Sequence, residues 1–111
     1  MYIGLHNHTD RSNIRGFLDS TNRIEDLVQY TKELGHCGIA ITDHDTIAVH
    51  MEALDYMENL KKSDPEKWKD YKLILGNEIY LCSRKQIEED KLYKFWHFIL
   101  IAKDKIGHQQ I

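Results

Sequence analysis

Imidazole and carboxylate side chains recur in this chain at one kind of place. His6-Asn7-His8, Thr42-Asp43-His44-Asp45, Gly76-Asn77-Glu78 and Trp96-His97-Phe98 each end, follow or interrupt a short apolar run. Imidazole nitrogen and carboxylate oxygen are donors that zinc, manganese and iron accept, zinc binding nitrogen at about 2.0–2.1 Å. On an extended backbone residues i and i+2 face the same side, so His6 and His8 can offer two rings to one ion. The two oxygens of Glu78 can bridge two ions. Donors gathered at successive strand ends are how a metalloenzyme site is assembled.

Each group also has an ordinary reading. An isolated H-x-H pair is more often surface or satisfied core histidine. Asp43 and Asp45 stand just before a helix, where they can cap its N-terminus or support a ligand instead of touching an ion, whereas His44 is favoured as a ligand. Glu78 taken alone is as readily a salt-bridge partner. His97 interrupts Phe95-Trp96 and Phe98-Ile99-Leu100-Ile101, where a lone polar ring needs a partner to offset its desolvation. Taken together the groups favour ligation, because sites in parallel α/β domains form at the carboxyl ends of strands. His36, His50 and His108 lie before a strand, inside a helix and near the last residue, and are read as structural or solvent-facing.

These side chains need strands to carry them and helices to cover the strands. Tyr2 to Leu5 reads as a first strand opening onto His6, and residues 7 to 22 as a polar loop. Asn22 with Glu25 resembles a capping box, and Ile24, Leu27, Val28, Thr31 and Leu34 keep helical spacing until Gly35. Cys37 to Thr42 is a second strand, apolar on both faces as parallel strands under helices tend to be. Thr46 can cap a second helix that runs through Lys61 with Ala53, Tyr56, Met57 and Leu60 inward. Lys72 to Leu75 is a third strand with Glu78 just beyond it, and Phe95 to Ala102 is the strongest strand. Ser83 to Lys94 is a polar insertion. The alternation implies an α/β fold with parallel pairing.

Composition fits this frame. The 111 residues suffice for one domain with a modest core, and 41% hydrophobic and 30% charged residues with one proline, Pro65, describe an ordered soluble domain. With 15 basic and 18 acidic residues the net charge is −3, which excludes the basic footprint of a duplex-DNA binder. No basic start and long apolar stretch marks a signal peptide, so a cytoplasmic location without membrane contact is expected. Cys37 and Cys82 lack C-x-x-C spacing and read as free thiols.

The order H-N-H, a T-D-H strand end, G-x-E and a strand-borne histidine before I-A-K resembles the PHP (polymerase and histidinol phosphatase) superfamily. In detail it resembles the N-terminal PHP domain of the alpha subunit of bacterial DNA polymerase III. SNIRGFLDS, LGHCGIAITDHDT, LILGNEIYL and HFILIAKDKIGHQQI look like the version found in phage-like members of that subunit's family. The resemblance implies a distorted (β/α)7 barrel with up to three divalent ions, zinc or manganese, at the carboxyl ends of the strands. His6, His8 and Glu78 would hold one ion, Glu78 would bridge to a second held by His97, and Asp19 and His44 would hold a third. Asp19 falls in FLDS, where many relatives have LLDG.

Domains of this kind run well past this length and draw further ligands from later strands, so residues 1–111 are expected to be the N-terminal part of one, an excised piece or a truncated gene product. The activity implied for the parent, a DNA-directed DNA polymerase, is metal-assisted phosphoester hydrolysis, viewed as a 3′ to 5′ exonuclease, with an ion-activated water and no side chain as nucleophile. Arg11 and Arg15, after His8, can clamp a phosphate through their planar forks or stand solvated in the loop. The rivals are a structural PHP module that stabilises the polymerase or docks a proofreading subunit, and a stand-alone histidinol-phosphatase-like enzyme. Expected partners are the rest of the polymerase and, through it, DNA. The piece alone is expected to be inactive and to self-associate through the strand from Phe95 to Ala102.

Overall fold

The computed structural model of the chain describes residues 2–13, 17, 19–89 and 96–111. Arg15, Phe95 and the end of the polar insertion lie outside the described residues. Strands β1 (Ile3–Gly4), β2 (Gly38–Ile41), β3 (Lys72–Leu81) and β4 (Trp96–Ile101) form one mixed sheet in the order β1-β2-β3-β4, curled into a half-barrel. Helices α1 (Ile24–Glu33), α2 (His50–Ser63), α3 (Pro65–Trp68), α4 (Arg84–Glu89) and α5 (Lys105–Gln110) alternate with the strands.

The core lies between the sheet and the first three helices. Ile24 and Val28 of α1, Ile39 and Ile41 of β2, and Val49, Ala53 and Met57 at α2 form one buried cluster with Trp68 and Tyr71. Fully burying a side chain of this size is worth about 1.5–3 kcal/mol, so this cluster holds the sheet against the helices. All four residues of β2 are buried, which explains its unbroken apolar run. Trp68 and Tyr71 sit in a charged stretch that hid them from the hydrophobic pattern. Asp64 starts α3 by accepting from the Lys67 N–H at 3.1 Å, with Pro65 in the first turn, and this brings Trp68 inward. The Tyr71 hydroxyl meets Thr31 Oγ1 at 2.5 Å, and burial pushes its phenol up.

Several boundaries differ from the sequence reading. Asn22 does not cap α1; Arg23 occupies that place without a side-chain bond, while the Asn22 carbonyl accepts from the Asp10 N–H at 2.8 Å and ties the preceding loop. That loop contains a 3-10 turn over Asp10–Asn13. Thr46 does not cap α2, which starts four residues later; its hydroxyl accepts from the Ala48 N–H at 3.1 Å in a turn before the helix. Leu34 follows α1 and is exposed.

The larger difference is in β3, which continues to Leu81, so Glu78 lies within a strand instead of beyond one. Residues 72–75 pair in parallel with β2, and residues 76–81 pair antiparallel with β4. The change of partner falls at Gly76, where a Cβ would run into the Leu100 carbonyl oxygen. The antiparallel direction of β4 departs from the parallel pairing expected for it. Leu81 pairs with Trp96, which sets β4 antiparallel beside β3. An apolar run such as Phe98 to Ile101 encodes a strand but not its direction. Trp96 and Phe98 are exposed on β4, which stands at one end of the sheet.

Candidate metal centre

Asn7 explains the H-N-H spacing. Its side-chain amide donates to the Gly4 and Ala40 carbonyls at 3.0 and 2.9 Å, and its backbone carbonyl accepts from the Thr42 N–H at 2.9 Å. The middle residue is therefore fastened to the ends of β1 and β2, which leaves its two neighbours to face the opposite way. Thr9 extends the clamp. Its N–H and hydroxyl each donate to one oxygen of Asp43 at 2.6 Å, and both residues are fully buried. Asp43 thus supports the histidine loop and caps no helix. His44 is placed by a parallel bridge to Glu78: the Glu78 N–H donates to the Asp43 carbonyl and the Asp45 N–H to the Glu78 carbonyl, each at 3.0 Å. Asp45 takes a left-handed backbone, φ 50°, to make that turn.

Glu78 stands at the centre, its side chain 2% exposed. Its Oε2 lies 2.7 Å from His6 Nε2 and 2.8 Å from His8 Nε2, and its Oε1 lies 2.5 Å from His97 Nδ1. His44 Nε2 lies 3.7 Å from Oε2. Burial pushes the Glu78 carboxyl up, but the bonds from His6, His97 and His8 outweigh it and the net direction is down. Asp19 accepts at Oδ2 from His8 Nδ1 and Ser12 Oγ, both at 2.8 Å, and has His44 Nε2 at 3.6 Å. The Ser12 bond, with His8 assisting, holds its carboxyl below the usual range against a smaller effect of burial.

The donors fall into three overlapping groups, His6/His8/Glu78, His8/Asp19/His44 and His44/Glu78/His97, in each of which the ligand atoms lie within 4.8 Å of one another. All six side chains singled out as ligands in the sequence are in these groups. The first group fits a cation. Bonds of about 2.0–2.1 Å around a tetrahedral ion set ligand atoms roughly 3.3–3.4 Å apart, and His6 Nε2 and His8 Nε2 are 3.1 Å apart. Both rings also direct that nitrogen at the same carboxylate oxygen. Imidazole pairs with a carboxylate suit zinc, manganese or iron and do not choose among them.

Arg11 lies beside the site with its side chain half exposed, and its guanidinium faces Glu52 at 3.2 Å and Asp10 at 3.9 Å. The sequence reading did not single out Asn7, Thr9, Ser12 or Tyr80. Tyr80 carried a usable signal, since it follows Glu78 by two positions on a strand and shares its face.

The PHP domain family model matches residues 4–111. The chain belongs to the PHP domain family. Over 98% of its length it is 43% identical to a probable DNA polymerase YorL of Bacillus subtilis and equally to a DNA-directed DNA polymerase of Bacillus phage SPbeta. It is 30% identical over 99% of its length to a DNA polymerase III subunit alpha of Campylobacter jejuni. The PHP chain spans 8% of the length of each of these relatives.

Proposed function

We propose that residues 1–111 form the metal-binding part of a phosphoesterase domain in a DNA polymerase of the polymerase III alpha type, acting on DNA as a 3′ to 5′ exonuclease in the cytoplasm. The observation that supports it most is the sharing of Glu78 between two donor groups, since a carboxylate with imidazoles on both oxygens suits two neighbouring ions. Zinc or manganese, up to three ions, matches the donor set. Bound divalent ions acidify a coordinated water and neutralise charge on phosphate oxygens. The chain's own residues orient the donors: Asn7 and Asp43 hold the histidine loop, and Asp19 fixes the His8 tautomer by accepting from Nδ1. Arg11, whose guanidinium pairs with Glu52, is assigned the role of meeting a phosphate, and Arg15 is assigned the same role.

Titrating zinc or manganese into the chain, with and without the double substitution His6→Ala and His8→Ala, tests this reading. The double variant is expected to lose one class of site, and equal binding by both proteins overturns the assignment. Little turnover of a phosphodiester substrate is expected from these 111 residues alone, because three donor groups arise from six side chains only by sharing, and metal catalysis needs complete, fixed coordination. Robust chelator-sensitive hydrolysis would contradict that. Self-association along β4 is part of the proposal, given Trp96 and Phe98 exposed on a terminal strand. Light scattering from a clean monomer counts against it.

A further inference from the structure

Tyr80 lies on β3 two residues beyond Glu78 and directly opposite His97 of β4. Its ring stacks on that of His44, centroids 5.7 Å apart and planes 7° from parallel, and meets His97 edge-on at 4.9 Å and 87°. His44 and His97 are themselves edge-on at 5.1 Å and 86°. Three rings from three stretches of chain therefore form one corner, and all three separations are those at which aromatic rings attract.

The corner has work to do because His44, among the described residues, lacks the usual support. A ligating imidazole is ordinarily steadied by donating its other ring N–H to a carboxylate or carbonyl. His8 has this arrangement through Asp19. His44 does not: its Nε2 faces Asp19 and Glu78, while its Nδ1 is buried without a hydrogen-bond partner among the described residues. His97 stands on a terminal strand with its side chain 56% exposed and meets Glu78 through Nδ1. What packs against both is Tyr80.

We infer that Tyr80 is a positioning residue of this centre: by stacking on His44 and abutting His97 it fixes the angle between the two rings and so holds the donor groups that contain them, His44/Glu78/His97 and His8/Asp19/His44, in place for a divalent cation. The inference rests on the metal-binding reading above. It assigns Tyr80 no contact with the ion, and the ring rather than the hydroxyl carries the role. Loss of the ring should leave the His6/His8/Glu78 group intact and loosen the two groups that contain His44.

Cobalt(II) serves as the probe, since its visible bands report both occupancy and coordination geometry. The wild-type chain, Glu78→Gln, Tyr80→Phe and Tyr80→Leu are titrated with cobalt and their melting followed by circular dichroism. Glu78→Gln should lose the bands of the two groups that contain Glu78. Tyr80→Phe should keep the wild-type spectrum, and Tyr80→Leu should bind one class of cobalt about 10- to 100-fold more weakly with altered bands. If Tyr80→Leu fails to fold, Tyr80→Met, of similar bulk but without a ring, decides in the same way. A ringless variant that folds and matches wild type in affinity and spectrum overturns the positioning role and leaves the metal reading standing. A wild-type chain that takes up no cobalt overturns both.

Discussion

Around Glu78 four imidazoles turn ring nitrogens toward one carboxylate, whereas at the start of α2 a fifth, His50, turns its nitrogens to a backbone carbonyl and to His108. His50 is 1% exposed, and its Nε2 lies 3.0 Å from the Gly76 carbonyl oxygen, which can only accept. Nε2 therefore carries the proton, and Nδ1 accepts from His108 Nε2 at 3.0 Å. Burial pushes the His50 ring down in pKa, in keeping with a neutral imidazole. The residue types match and the roles differ. A histidine whose nitrogens are both satisfied within the fold is part of the framework, whereas histidines gathered on one carboxylate form the donor set that the proposed metal site needs.

The sharpest way to break this contrast is Glu78→Ala. It should abolish metal uptake by both groups that contain Glu78, read as zinc or manganese retained after dialysis; wild-type stoichiometry would erase the distinction. His50→Ala should do the reverse, costing about 2–3 kcal/mol in urea unfolding because it opens a cavity and strands the Gly76 carbonyl, with metal uptake unchanged. The same residue predicts a pH dependence. Its folded pKa lies below the usual value of 6.5, so the unfolded chain binds the proton more readily. The His50 contribution is fully present above about 6.5, declines as pH falls below that value, and is gone once pH has passed the lowered folded pKa. Unfolding from pH 8 to about 5 should show this slope in wild type and a smaller one in His50→Gln. Parallel profiles would mean that His50 is not held neutral.

The candidate donors were legible because most of them sit beside an apolar run that announces a strand. His6, His8, His44, Glu78 and His97 came from that pattern, and Asp19 from family resemblance. The supports were harder to read. Asn7 and Thr9 act through contacts with residues more than thirty positions away, to Ala40 and Asp43, and periodicity carries no information about such pairs. Boundaries failed where a side chain found a distant partner, as when Asn22 served the preceding loop and left α1 without a side-chain cap. The direction of β4 was not written in its composition either. It shows only in the register, in which Leu81 meets Trp96 and Gly76 meets Ile101.

The pairing of β3 with β4 divides the centre by how far the chain must travel to build it. His97 reaches Glu78 across 19 positions on neighbouring antiparallel strands, while His8 and His6 are 70 and 72 positions away. Closing the longer loops costs about 1 kcal/mol more in chain entropy and must await β1 and β2 joining the sheet. During folding, then, the Glu78–His97 contact can form as soon as its two strands meet. By the same argument the histidine loop is expected to arrive later, onto a carboxylate already held in place.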